Sequence, residues 1–354
     1  MSVTADSADV LRSDVAVRVW LYGLCALIFA MILVGGATRL TDSGLSITEW
    51  QPILGIVPPM SDAAWQIAFD KYRQIPEYQI INKGMSLSEF KFIYWWEWGH
   101  RFLGRMIGFA FLIPFLYFWA KGYLTRAMIP KLLIMFVLGG LQGALGWYMV
   151  MSGLVERTDV SQYRLAAHLC FAVLIFGFIF WVAMRMGQDK PYTSPVSSGL
   201  RISAIGLTIA VFVQIALGAF VAGMDAGQGY NTWPLMDGAV IPEGLGAMSP
   251  WYLNLFENAM TVQFNHRVTA YIVLIWALVH SGVAIARSEP GAIAVSAGLL
   301  VVATLAQVII GIATLVAHVP LSLALLHQGV AVVLFAVLLW HLNRLVPAPA
   351  PDHQ

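Results

Sequence analysis

Glu97-Trp98-Gly99-His100-Arg101 stands at the head of the apolar run 102–119, and this stretch sets the reading of the chain. A carboxylate, an imidazole and a guanidinium are costly at the edge of hydrocarbon unless each has a partner. Glu97 and His100 are three residues apart, so a helix places both on one face, about a turn apart. A metal or cofactor held by the histidine would lie within reach of the carboxylate.

Outward from this stretch the composition is that of a membrane protein. Hydrophobic residues make up 59% of the 354 and charged residues only 11%. Apolar runs of roughly twenty residues, long enough to span hydrocarbon, occur near 19–37, 102–119, 132–151, 165–184, 202–223, 268–286, 295–317 and 321–342. The expected fold is an all-α polytopic membrane protein with eight transmembrane helices. A net charge of +1 gives no basis for a polyanionic partner, and nothing resembles a nucleic-acid module. The first run is preceded by Asp6, Asp9 and Asp14 as well as Arg12 and Arg18, unlike the basic start of a cleaved signal, so it reads as a retained helix. Cys25 and Cys170 both fall inside spans, which argues against a structural disulfide or a cysteine metal site.

The loops after the second and fourth spans carry Lys121, Arg126, Lys131, Arg185, Lys190 and Arg201, whereas those after the third and seventh carry only Arg157 and Arg164. By the positive-inside rule the first set is cytoplasmic, as are both termini, and Glu97 and His100 enter from the outer side. The outer segment after the first span contains Gly35-Gly36-Ala37-Thr38-Arg39-Leu40-Thr41-Asp42-Ser43-Gly44. Ser61 to Tyr78 has the spacing of one amphipathic surface helix with Trp65, Ile67, Ala68, Phe69 and Tyr72 on its apolar side. Ser86-Leu87-Ser88-Glu89 reads as a capping box, so the second spanning helix starts outside the bilayer.

The second half repeats the first. A shift of 183 residues aligns Gly35, Asp42, Gly44 and Trp50 with Gly218, Asp225, Gly227 and Trp233. A shift of 166 aligns His100-Arg101 with His266-Arg267, one of 165 aligns Gln142 and Gly146 with Gln307 and Gly311, and His168 corresponds to His327, 159 residues on. The Pro- and Ser-rich loop near 185–201 is the boundary, giving a repeat over 1–190 and another over 191–354. Two tandem four-helix bundles of this kind share one orientation and are related by an axis along the membrane normal.

Each repeat thus carries a histidine near the outer end of its second helix and another near the outer end of its fourth. Two neutral imidazoles across a bundle suit a haem iron. Zinc sites need three or four ligands from one cluster, and each half offers two. His280 and His341 lie toward the cytoplasmic ends, His353 is in the tail, and His318, in a tight outer loop, is a reserve ligand. Arg101 and Arg267 follow the histidines, and Arg39, Arg105 and Arg164 are also near the outer surface. Snorkelling toward headgroups is one reading of them; pairing with haem propionates is the other. At the position of Glu97 the second repeat has Gln263, which points to a reactive site in the first half and an electron-transfer or structural haem in the second. A glutamate satisfied by a neighbouring arginine is the alternative.

The chain resembles the haem A synthase family in Gly-Gly-Ala-Thr-Arg-Leu-Thr-x-Ser-Gly-Leu-Ser from 35 to 46, Glu49-Trp50-x-Pro52, Glu97-x-x-His100-Arg101, Leu103-Gly104-Arg105, Gln142-Gly143 and Asn265-His266-Arg267. The resemblance implies conversion of a pyrrole methyl of haem O to the formyl of haem A, with His100 and His168 flanking the substrate haem, His266 and His327 ligating haem b, and Glu97 as the catalytic carboxylate. It also implies a multi-pass protein of the cell inner membrane and an electron acceptor. Haem O synthase, oxidase assembly factors and a second copy of the chain are further expected partners. Some bacterial relatives carry a cysteine pair in the first outer segment; this chain has none and is similar to the proteobacterial and mitochondrial class. The competing readings are a di-haem membrane cytochrome for quinol-linked electron transfer and a haem transporter.

Overall fold

The computed structural model describes residues 3–51, 54–154, 157–186, 197–287 and 291–346. In chain order its helices are α1 (Val3–Leu40), α2 (Asp62–Tyr72), α3 (Pro76–Ile80), α4 (Leu87–Ala120), α5 (Met128–Met151), α6 (Gln162–Arg185), α7 (Ser198–Gly223), α8 (Asn254–Glu257), α9 (Ala259–Arg287), α10 (Ala292–Val316) and α11 (Leu321–Leu345). Among the described residues eight helices, α1, α4, α5, α6, α7, α9, α10 and α11, are long and apolar enough to cross a membrane. Each corresponds to one of the eight apolar runs. The repeat boundary at 190/191, Pro52, Lys190 and His353 lie outside the described residues.

The spanning helices close two rings. In the first, α1 packs on α4, α4 on α5, α5 on α6 and α6 back on α1; in the second, α7, α9, α10 and α11 follow the same circuit. The rings meet through α6 with α7, α1 with α11, and α6 with α11, a set that maps onto itself when the halves are exchanged. Small residues let these helices approach, as expected where lipid leaves packing as the main attraction. A methyl at Gly177 would come to 3.0 Å of Phe335 Cε1, and one at Gly223 to 2.9 Å of the Gln162 backbone. Gln328 Nε2 donates to the Ile32 carbonyl across the interface at 2.8 Å, over the space left by Gly36.

The capping box is present: Ser86 Oγ accepts from Glu89 N, and Glu89 Oε2 accepts from Ser86 N at 2.7 Å. At 34 residues and 1.5 Å per residue, α4 is about 50 Å long, against a hydrocarbon core of about 30 Å. Its first turns therefore stand clear and are covered by α2. Phe69 stacks on Phe90 with ring centroids 4.9 Å apart, and Trp65 meets Tyr94 edge-on at 4.9 Å. The single surface helix expected over Ser61–Tyr78 is in fact two, because the chain leaves α2 at Arg73 and Pro76 starts α3. Of its apolar side, Trp65, Phe69 and Tyr72 are buried against α4, whereas Ile67 is exposed.

Candidate functional site

In each ring the two histidines sit on diagonally opposed helices: His100 on α4 and His168 on α6, His266 on α9 and His327 on α11. His266 and His327 face each other with ring centroids 6.5 Å apart and planes at 81°. Two metal–imidazole bonds of about 2 Å each, plus the two half-rings, come to about this span. Every one of the four rings is seated against a glycine of the adjacent helix. A methyl would come to 2.9 Å of His100 Nε2 at Gly35, 2.9 Å of His168 Cε1 at Gly146, 3.1 Å of His266 Cε1 at Gly218 and 2.7 Å of His327 Cε1 at Gly311.

Three of the rings also carry a glutamine amide. Gln142 Nε2 lies 3.2 Å from Nδ1 of His168, Gln214 Nε2 3.1 Å from that of His266, and Gln307 Nε2 3.1 Å from that of His327. The amide oxygens of all three glutamines are buried without a partner. Iron-ligating histidines donate their second ring N–H to a carbonyl or carboxylate as a rule. Glycine cradles and waiting amide oxygens therefore fit a haem held between each pair.

Glu97 and Gln263 occupy equivalent, buried places but are wired oppositely. Glu97 Oε1 accepts from Arg101 Nε at 3.0 Å and Nη2 at 2.5 Å, and Oε2 accepts from Ser46 Oγ and Ile47 N, both at 2.7 Å. Gln263 Oε1 accepts from Arg267 Nη2 at 3.0 Å, but its Nε2 donates to the Ala226 carbonyl at 2.8 Å. The loop of the first repeat offers donors where that of the second offers an acceptor. Each arginine otherwise clamps that loop, Arg101 through the Ile47 and Glu49 carbonyls and Arg267 through those of Tyr230 and Thr232.

Of the remaining candidate arginines, Arg105 donates to the Gln51 carbonyl at 2.9 Å, and Arg164 donates to the Tyr148 carbonyl while lying 3.7 Å over its ring. Arg39 spans the interface between halves, bonded to Asp42 at 2.9 Å and to Asp225 at 2.8 Å. A pocket of about 290 Å³ bounded by the segment after α1, by α2 and by α4 is lined by Ser46, Ile47, Tyr94, Arg101, Arg105 and Lys71, with Glu49 as its acidic group, so its wall is basic on balance. Beside it, outside the spans, Glu77 of α3 is buried with Oε2 unpartnered. Burial first, then the charges of Asp42 and Glu97, push its carboxyl up to about 8.

His318 is exposed in the turn between α10 and α11. His280 and His341, which the sequence leaves without a role, are bonded Nε2 to Nε2 at 3.0 Å, about 21 Å along α9 from His266 at 1.5 Å per residue. His280 Nδ1 meets Ser203 Oγ at 3.0 Å, Trp276 Nε1 donates to that oxygen at 3.0 Å, and His341 Nδ1 meets Ser296 Oγ at 2.8 Å. One direction satisfies every group: Trp276 to Ser203, to His280, to His341, to Ser296, to the Ile293 carbonyl. This chain ties all four helices of the second ring together. The first repeat has Trp20, Pro114, Lys131 and Val182 at the matching positions of Ser203, His280, Ser296 and His341, and no such chain is possible there.

The sequence reading missed Ser46, the Ile47 amide, Gln214 and Met31. The last two were findable: Gln-x-x-x-Gly occurs at 142–146, 214–218 and 307–311, and the fourth copy, at 31–35, begins with methionine.

Comparison with known proteins gives a consistent answer. A family model described as cytochrome oxidase assembly protein matches residues 18–339. The heme A synthase of Parvibaculum lavamentivorans is 54% identical over 93% of this chain and 94% of its own length. Those of a Chelativorans species and Bradyrhizobium diazoefficiens are 54% and 50% identical, over 94% and 96% of this chain and 92% and 94% of theirs. By these matches, which run nearly the full length of the chain, it belongs to the haem A synthase family.

Proposed function

We propose that the protein is an oxidoreductase that converts haem O to haem A, with the substrate held between His100 and His168 of the first ring and a resident haem b between His266 and His327 of the second. The single observation that carries the division of labour is the opposite wiring of Glu97 and Gln263, which gives a carboxylate to one ring and a neutral amide to the other. Haem b, when bound, supplies a one-electron redox centre.

Oxidising the pyrrole methyl, with its electrons passing to an external acceptor, would develop positive charge at its carbon, and a fixed anion nearby would lower that barrier electrostatically. Glu97 suits this role. Its two oxygens already accept four hydrogen bonds, the full capacity of a carboxylate, so moving a proton would require it to release Ser46 or Arg101 first. Electrostatic stabilisation therefore ranks above acid–base work for this residue. Arg101 and Arg105, on the wall of the basic pocket, are the propionate-binding candidates the geometry favours. Arg164 and Arg267 do not line that pocket, and Arg39 is committed to Asp42 and Asp225. The positive-inside pattern supports an inner-membrane orientation with both termini cytoplasmic and both sites toward the outer face.

The test is chromatography with mass spectrometry of haems extracted from the purified protein, produced where haem O is available. Haem B together with haem A, or with a hydroxylated haem O, is the expected result. Haem B alone, with haem O unchanged in the same cells, would overturn the proposal in favour of an electron-transfer cytochrome.

A further inference from the structure

Four helices present a small residue to a ring histidine, and on three of them the residue one turn earlier is glutamine: Gln142 before Gly146 on α5, Gln214 before Gly218 on α7, Gln307 before Gly311 on α10. A spacing of four puts both on one helix face, so the glycine admits the imidazole and the amide lies over it. Each amide nitrogen is nearly equidistant from the two ring nitrogens, 3.2 and 3.4 Å at His168, 3.1 and 3.4 Å at His266, 3.1 and 3.5 Å at His327. Gln142 and Gln214 are further pinned by donating to the backbone carbonyl of the histidine they cover, at 3.0 and 2.9 Å. Meanwhile all three Oε1 atoms are buried and accept nothing.

A buried carbonyl without a donor is costly, and three at the same offset from a ring-seating glycine point to a donor common to all three. The imidazole supplies it. A ring that gives its Nε2 lone pair to iron carries its proton on Nδ1, and that N–H needs an acceptor. Turning the amide over, with the bond from Gln142 or Gln214 to the histidine carbonyl given up, would present Oε1 to Nδ1–H in place of Nε2.

On α1 the pattern breaks. Met31 stands one turn before Gly35, at the position of Gln214, and its Cε packs toward Gly104, where a methyl would come to 3.3 Å of it. A thioether cannot replace the amide oxygen, and among the described residues no hydrogen bond reaches the ring of His100.

We propose that Gln142, Gln214 and Gln307 are positioning residues that make His168, His266 and His327 firm haem ligands, and that Met31 leaves His100 as the loose one through which the first ring exchanges its haem. The inference rests on the two-ring reading above. A resident cofactor must stay and a substrate must leave; two firm ligands suit the first requirement, and one firm with one loose suits the second. Removing the outer partner of a ligand typically costs about 10–100-fold in metal affinity.

The experiment is a reciprocal exchange in the full chain, Met31→Gln and Gln214→Met, with Met31→Leu as control; all are unbranched or helix-favouring side chains that leave the helices intact. Purified protein carrying haem B, loaded with haem O, is mixed with excess apomyoglobin, and the release of each haem is followed. Electron paramagnetic resonance of the low-spin ferric haems reports the axial histidines independently of activity. Met31→Gln should slow release from the first ring by about 10–100-fold, and Gln214→Met should speed release from the second by a similar factor, each with a shift of that haem's resonance. Met31→Leu should behave as the parent. Unchanged release and unchanged resonances in both exchanges would overturn the inference. A parallel His327→Ala variant separates the causes: loss of the second haem there, with Gln214→Met inert, refutes the glutamine role alone, whereas retention of that haem refutes the two-ring reading and the inference with it.

Discussion

Replacing Glu97 by glutamine is nearly isosteric, yet it should loosen the segment after α1 far more than a charge deletion alone would. The new amide can keep its oxygen toward Arg101 only by turning its NH2 group toward Ser46 Oγ and Ile47 N, two donors that now hold Oε2 at 2.7 Å. Ser46 can fall back on the Ile93 carbonyl, 3.4 Å away. The Ile47 N–H cannot re-aim. A stranded buried N–H costs about 1–3 kcal/mol, and the bonds from Arg101 drop to roughly half their strength when their acceptor loses its charge. Breaking a fully buried pair costs about 3–5 kcal/mol, and Arg101 retains 14% side-chain exposure, so about 3 kcal/mol is a fair total. At about 1.4 kcal/mol per tenfold, opening of the loop should become about 100-fold easier. Hydrogen exchange read by mass spectrometry on the peptide containing Ser46 and Ile47 measures this directly, with the 226–233 region of the second repeat as internal reference. Exchange at Ile47 within about threefold of the parent, roughly 0.6 kcal/mol, would refute the argument. A loss of haem A formation in the same variant has two causes, charge and scaffold, and the exchange data apportion them.

Three further outcomes are expected. Gly311→Ala brings a methyl to 2.7 Å of the His327 ring and should lose the second haem, whereas Gly298→Ala on the same helix meets nothing within 4 Å and should keep it; haem-to-protein ratios decide. Glu77, ordinarily near 4.5 and held at about 8, keeps its proton in the folded state while the unfolded chain has lost it, so stability should fall as pH rises from about 4.5 to 8. The full effect is about 5 kcal/mol at about 1.4 kcal/mol per pH unit; Glu77→Gln should flatten the dependence of the thermal midpoint on pH, and an unchanged slope would contradict it. His341→Ala strands His280 and opens a cavity at a fully buried site, at a cost of about 3 kcal/mol or more, which thermal unfolding in detergent will register unless the chain of hydrogen bonds is dispensable.

Hydrocarbon imposes its requirements residue by residue, which is why the eight spans, the Ser86 cap and the ring histidines could be read directly from the chain. What escaped reading depends on partners far apart in sequence. Glu97 finds its donors at Ser46 and Ile47, about fifty residues upstream, through a loop path that no periodicity encodes. Arg39 looked like a propionate ligand because nothing local reveals that Asp225 will lie beside it. His280 and His341 are 61 residues apart and looked like two isolated polar groups; only the ring closure of α9 on α10 and α10 on α11 turns them into a tie. The surface helix failed at Pro76 for a local reason, since the ring at the first position of α3 favours a new helix start over continuation.

The contact between α6 and α11 couples the packing of the two rings. These two helices carry His168 and His327, and they touch along the line where the halves meet, with Gly177 against Phe335. With both rings holding haem as proposed, the sites stand back to back on a single partition, and packed helices have axes only about 8–10 Å apart. A change of packing at Gly177 or Phe335 would then be felt at once by both histidine-bearing helices.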